Sequence, residues 1–588
     1  MTIPPHRTTF FVIVWLLILS LVIVSAAAAD SSPEIRIEGV FGALLDNVTE
    51  ALQPPVGLYS DGEVNTLWLN RYIRLAPDKV KRALEPFGYY SAEVEVSVNQ
   101  ETTPLTVLVT IDPGAPVRIA TRHLEIIGES QKELQERLAR FPLTPGEILL
   151  HLPYEKAKSE LQALAANLGY LDAAYSRHQI RVDRQNNSAD LDLVLNTGPR
   201  FRFGAIKFTG GDEYPEPFLR RYIIPRQGEI FSFALLGKTQ QQFLDSDRFQ
   251  NILISPQREP GQNEEIPVEI RLKSKPPKRL RPGIGYGTDT GARAFLRYQD
   301  VNLWRLGHEF NTNLLIAERK KNLIGSYIFP GYRNIDTKLA LHGGYQAEDL
   351  ETYESRYIFT EVEQIYGLKE GKTGSLFLRF QKETSTFSGD RITTKTLMPG
   401  VRFNMGRLDD PIRPKQGYHL SLELRGAWEG LVSDISLFQA VGDIDWIVPL
   451  FWRTYLHLRG IASTSLQQND FDELPASLRF FAGGDRSVRG YAYQSLGPTD
   501  DQGNVIGGKH LLVGSIELEK RFLENWGVAA FYDAGNAFNT FSNYELAKAA
   551  GVGLRYFTPV GPARIDLART LHSGKDSYRV HIGLGVGW

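Results

Sequence analysis

Arg453-Thr454-Tyr455-Leu456-His457-Leu458-Arg459 sets Arg453, Tyr455, His457 and Arg459 on one face of an extended chain, and Thr454, Leu456 and Leu458 on the other. Successive side chains of a strand point to opposite faces, so this stretch reads as a strand with one wet and one apolar surface. Working outward, such runs recur near residues 281–288, 292–300, 306–316, 322–329, 335–345, 356–366, 372–382, 395–406, 417–427, 434–447, 451–463, 510–521, 525–533, 550–557, 562–568 and 578–588. They make sixteen, an even number that suits a closed transmembrane β-barrel with a lumen face and a lipid face. Connections after even-numbered strands are short (330–334, 367–371, 449–450, 523–524, 559–561), whereas those after odd-numbered strands are long (347–355, 384–394, 465–509, 535–549, 570–576). Short periplasmic turns and long outer loops predict that the preceding half of the chain and the C-terminus share the periplasmic side.

The composition agrees. The chain of 588 residues has no cysteine, a formal net charge of -2 and a mean hydropathy of -0.24. Alternating strands average out as polar, and this charge offers no electrostatic case for nucleic acid. His6 and Arg7, an apolar run over 10–24 and Ala27-Ala28-Ala29 predict a secretory signal peptide over residues 1–29. No later run approaches the ~20 apolar residues of a membrane helix, so a membrane-bound mature protein must cross by strands and contact the lipid bilayer directly.

Residues 30–278 repeat. Phe87-Gly88-Tyr89-Tyr90 and Leu168-Gly169-Tyr170 each end a helical pattern and precede two strand-like runs, 92–98 with 105–111 and 173–182 with 189–195. Pro113-Gly114-Ala115-Pro116 and Thr197-Gly198-Pro199 then break the chain before a new strand, 122–128 or 203–210. A third copy closes on 266–272. The expected organisation is three small α+β modules (30–115, 116–199, 200–278) ahead of an all-β sixteen-stranded barrel (279–588). A three-stranded sheet leaves an edge that can accept a strand from another chain. Lys275-Pro276-Pro277-Lys278 is a short stiff linker into the barrel.

The sixth outer loop carries Gly483-Gly484-Asp485-Arg486-Ser487-Val488-Arg489-Gly490-Tyr491. Alternation puts Glu517 and Asp533 on lumen faces of the strands that follow, so an inward-folded Arg489 finds carboxylates there. Gly283, Gly285 and Gly287 in the first strand and Gly583, Gly585 and Gly587 in the last fall where the barrel must close. Missing side chains weaken a strand, which predicts a weak lateral seam. The same glycines also suit packed lumen side chains or barrel curvature.

The order of elements in the repeats resembles the polypeptide-transport-associated (POTRA) module. Val488-Arg489-Gly490-Tyr491 in a sixth outer loop, Phe531-Tyr532-Asp533-Ala534-Gly535-Asn536 two strands on, and an aromatic C-terminus resemble the BamA/TamA superfamily of outer-membrane insertases and translocases. The resemblance implies that Arg489, with Gly490 and Tyr491, locks onto Asp533 and, less closely, Glu517. It implies that Gly583, Val586 and Trp588 belong to a C-terminal sorting signal. Three modules resemble the TamA branch, which implies a TamB-like inner-membrane-anchored partner and unfolded outer-membrane or autotransporter clients. A two-partner-type translocation pore and a BamA-like general insertase are the alternatives. No cofactor or metal is expected, and no enzyme motif is found: Gly371-Lys372-Thr373 lacks the glycine a phosphate loop needs at Tyr366.

Overall fold

The computed structural model describes residues 34–584 apart from 56–57, 61–62, 100–104, 259–263, 332–334, 369–370, 411–412, 431, 543, 559–560 and 572–576. The signal-peptide expectation lies outside the described residues, as do Gly585, Val586, Gly587 and Trp588.

Three small sheets share one topology. In each three-stranded sheet, the first and second strands in chain order flank a central last strand: Glu34–Glu38 and Glu93–Asn99 flank Thr106–Asp112, Arg118–Ile127 and Ala174–Asp183 flank Ser188–Asn196, and Arg202–Gly210 and Phe249–Pro256 flank Glu265–Ser274. In the first two the opening strand runs parallel to the central one. Helices cover one face. Thr66–Leu84 is started by the Asn65 side chain, which accepts from the amides of Leu67 and Trp68, and it buries Leu69, Tyr72, Ala76 and Val80 at helical spacing against Val107 and Val109.

Sixteen antiparallel strands close into a barrel in chain order. They are β1 Lys278–Gly287, β2 Gly291–Leu303, β3 His308–Ala317, β4 Lys320–Pro330, β5 Thr337–Asp349, β6 Glu354–Leu368, β7 Lys372–Phe387 and β8 Asp390–Leu408. The second half is β9 Gly417–Ala427, β10 Leu437–Pro449, β11 Thr454–Gln467, β12 His510–Arg521, β13 Trp526–Phe538, β14 Ala547–Thr558, β15 Gly561–Thr570 and β16 Tyr578–Leu584. The two-residue period sorts side chains as the alternation predicts: Ile516 and Leu518 face outward and exposed, while Ser515 and Glu519 on either side of the pair are buried in the lumen.

The boundaries differ in two respects. Several outer loops are shorter than their polar composition suggests, because the strands run on beyond the apolar band: residues 384–394 are nearly all strand, in β7 and β8. Arg453 is not a strand residue. It shares a tight turn with Trp452, both at positive φ (57° and 55°), the twist that a two-residue hairpin connection requires.

Part of the third module forms one compact unit with the barrel, comprising residues 206–224, 237–255 and 269 onward. Tyr214, Phe218, Tyr222, Phe243 and Phe249 make an aromatic cluster with ring centroids 5.0–5.6 Å apart. Gly307, in the β2–β3 turn at φ 74°, lies against the Phe218 ring, and a Cβ there would come within 2.1 Å of it. Buried Arg248 donates to Glu309 at 2.6 Å, and Arg221 Nη1 to the Gly331 carbonyl at 2.7 Å.

Candidate functional site

The connection between β11 and β12, residues 468–509, turns into the barrel and packs there at three places. Its Leu474 and Leu478 join Met398, Ile435 and Leu437, its Ala476 joins Tyr353 and Phe387, and its Ala482 and Val488 join Val513 and Ala549. Apolar contact therefore holds an otherwise irregular segment at lumen depth.

Polar anchors fix its path. Two 3₁₀ turns, Phe471–Glu473 and Ala476–Leu478, expose backbone groups that strand residues satisfy. Ser385 Oγ accepts from the Ala476 amide at 3.0 Å, Glu383 from the Ser477 amide at 3.1 Å, and Gln439 donates to the Leu478 carbonyl at 2.7 Å. Arg479 then donates to the carbonyls of Leu474, Ile506 and Asp472, with its guanidinium 4.0 Å from the Phe387 ring centroid.

Arg489 is 5 % exposed and Asp533 fully buried. The guanidinium grips Asp533 with two bonds, Nε to Oδ2 at 2.7 Å and Nη2 to Oδ1 at 2.9 Å, and the Arg489 amide adds a third to Oδ2 at 3.0 Å. Nη1 reaches Glu517 at 2.5 Å and Asp566 at 3.4 Å. The Phe531 ring centroid lies 3.4 Å from the guanidinium carbon, beneath its plane. This planar fork answers a carboxylate bidentately while stacking on an aromatic face, which an ammonium group cannot do. Burial works against the Arg489 charge, yet the hydrogen bonds to Asp533 and the charge of Glu517 raise its pKa above the ordinary guanidinium value.

The structure thus brings together Arg489, Glu517 and Asp533. Ser515, Phe531, Arg555 and Asp566 join them without having been singled out. Ser515 donates to Asp533 at 2.6 Å, and Arg555 bridges Glu517 (2.8 Å) and Asp566. Gly490 needs its missing side chain. It lies at φ 97°, and a Cβ would stand 3.3 Å from Ala549. Tyr491 packs at the edge of the cluster around Val488.

At the closure, Gly287 stands opposite Gly583. The seam glycines do not share one reason. A Cβ at Gly283 would meet the Phe295 ring at 2.0 Å, so that glycine makes room for a neighbour, whereas Gly287 and Gly583 have only ordinary contacts around the missing atom. Just above, in the β1–β2 turn, burial and the neighbouring Asp485 charge push the Asp289 carboxyl up to about 6.

A model of POTRA domain 1 of TamA matches residues 34–113, and a model of the Omp85 superfamily domain matches residues 286–588. The outer membrane protein assembly factor BamA of Neorickettsia risticii (strain Illinois) is 20% identical over 430 residues, 68% of this chain and 57% of its own length. BamA of Neisseria meningitidis serogroup B is 21% identical over 583 residues, 86% of this chain and 72% of its own. The chain therefore spans little more than half the length of the first of these relatives. The crystal structure of BamA from Haemophilus ducreyi lacking POTRA domains 1-3 has the same fold, with a TM-score of 0.66 at 18% identity over 79% of this chain and 99% of that one. With the superfamily model covering slightly more than half of its residues, this outer-membrane β-barrel with periplasmic POTRA-type modules belongs to the Omp85 superfamily.

Proposed function

We propose that the protein is an outer-membrane assembly factor that promotes insertion or translocation of barrel proteins, autotransporters among them, through the joint between β1 and β16. The observation that carries this reading is the loop of residues 468–509, packed into the lumen and pinned by Arg489. A passive pore has no use for a lumen filled by its own loop. A barrel whose interior is braced can open at its wall without collapsing, and the freed edge of β1 offers unpaired N–H and C=O groups to an incoming strand. Along β1, Leu280, Ile284 and Tyr286 point outward and exposed, the surface such a client strand meets in lipid.

The finer assignment is to the TamA-like branch, with three POTRA modules that receive clients or a TamB-like partner. Three sheets of one topology and the match of residues 34–113 to a TamA-type module support it. Arg489 with Gly490 and Tyr491 acts as the lock on Glu517 and Asp533.

The test uses purified protein in liposomes given an unfolded autotransporter barrel domain, beside Arg489→Ala and a form lacking the three modules. The reading expects faster client insertion by the intact protein and loss of that acceleration in both variants. Ion conductance or vesicle-protected substrate without acceleration assigns the chain to translocation instead.

A further inference from the structure

The loop that carries Arg489 also reaches the seam. Asp485 lies four residues earlier, in a turn closed by the Ser487 amide on the Gly484 carbonyl at 3.1 Å. Its carboxylate accepts from Thr288 Oγ1 at 3.1 Å, and its own amide donates to Asp289 Oδ2 at 2.8 Å. Both partners sit at the upper end of β1. On the other side of the seam, the same carboxylate is hydrogen-bonded to Nδ1 of His581 in β16. The Gly490 amide donates to Nε2 of that imidazole at 3.0 Å. Where the main-chain ladder ends, Thr288 and Ile582 continue it through Thr288 N–H to the Ile582 carbonyl at 3.2 Å and Ile582 N–H to Thr288 Oγ1 at 3.3 Å.

We infer that Asp485 is a positioning residue that clasps β1 to β16 from inside the barrel, so that withdrawal of the loop and opening of the seam are one event. The inference rests on the proposed use of the seam. It adds the part that couples the seam to the arginine lock.

Chemistry supports a clasp over the other use of these groups. Asp289, Asp485 and His581 offer ligand atoms within 4.8 Å of one another, a spacing that a cation could use. An imidazole ligates through a lone pair, and both nitrogens are committed here. Nε2 accepts from Gly490, which places the ring proton on Nδ1, facing Asp485. His581 is 3 % exposed, so turning the ring would bury its nitrogens without partners. The approach is also built into the backbone. Gly484 lies at φ 105°, and a Cβ there would come within 2.9 Å of Asp289 Oδ2 and of the Tyr493 ring.

The experiment places spin labels at Ile284→Cys and Val580→Cys, outward positions on β1 and β16, in a chain with no other cysteine. Distances are read in lipid nanodiscs for the full chain, for Asp485→Ala, for the near-isosteric Asp485→Asn, and for Asp485→Ala with His581→Ala. The clasp predicts a longer-distance population that grows roughly tenfold in Asp485→Ala, as expected for about 1.4 kcal/mol. It predicts a smaller change in Asp485→Asn and no additional change in the double variant. A distance distribution unchanged in Asp485→Asn and Asp485→Ala, in protein whose barrel migrates as folded, overturns the clasp. Client insertion is measured on the same samples. A seam that opens without any change in insertion sinks the functional reading and leaves the clasp standing; an unchanged seam beside an insertion rate that a seam crosslink abolishes does the reverse.

Discussion

The wall formed by β6, β7 and β8 and the joint between β1 and β16 are the same kind of structure, antiparallel strands in one barrel, held by different means. The wall strands are 15, 16 and 19 residues long and pair along nearly their whole length. Charged side chains brace them across the lumen face: Arg379 to Glu361 at 2.7 Å, and Arg402 to Glu363 at 2.7 Å and Glu423 at 2.8 Å. Every partner in that brace belongs to a strand. At the joint, β1 has 10 residues, and apart from the bond of Ile582 N–H to Thr288 Oγ1 the described side-chain ties run through Asp485 and Gly490, which belong to a loop. A brace within strands cannot be withdrawn without unfolding the barrel, but a brace carried by a loop can.

The loop's own anchors are the place to break this comparison hardest. Arg489→Ala leaves the buried Asp533 carboxylate without its cation, so a loss of about 3–5 kcal/mol is expected, read as a lower unfolding midpoint of the purified barrel. Arg489→Lys keeps the charge but not the fork, and is expected to recover only part of that loss. Glu383→Gln sharpens the contrast from the wall side. It weakens the grip on the Ser477 amide, and a loss of about 1.5–3 kcal/mol is expected where an ionised acceptor is removed. Amide exchange at Ala476 and Ser477 then rises, while the distance across the seam stays as it was, because the clasp lies on the opposite stretch of the loop.

The smallest expected effect is a pH dependence at the joint. The folded protein holds the Asp289 proton more tightly than the unfolded chain, with its carboxyl raised from 3.8 to about 6. Stability from this group is therefore complete below about pH 4 and is lost as pH rises through about 6. Asp485, His581 and Tyr493 face Asp289. Comparing unfolding midpoints of the wild type and Asp289→Asn between pH 4 and 7 isolates its share: the difference between the two should change across that window, and a constant difference removes Asp289 from the account.

Much of the barrel was legible in the sequence, because period-two alternation is local. Ile516 and Leu518 against Ser515, Glu517 and Glu519 place Glu517 in the lumen without any knowledge of the fold, and the same logic places Asp533 beside Ala529. Phe531 was quoted only as part of a motif and given no face, although the same parity puts it with Asp533, beneath the guanidinium. Arg555 and Asp566 escaped for a different reason: they lie on β14 and β15, and they meet Arg489 only through the register of neighbouring strands and the path of the loop. His581 was read within a C-terminal strand pattern. Its pairing with Asp485 spans 96 residues and depends on where a loop lands, which no local period encodes.

The most direct measurement locks the joint with a disulfide at Gly287→Cys and Gly583→Cys, the positions that stand opposite each other. Client insertion into liposomes is followed with the bond oxidised and then reduced. Opening of the joint during function predicts that the oxidised protein gives no acceleration and that reduction restores it. Equal acceleration from a fully crosslinked barrel would mean that clients enter the membrane without passing between β1 and β16.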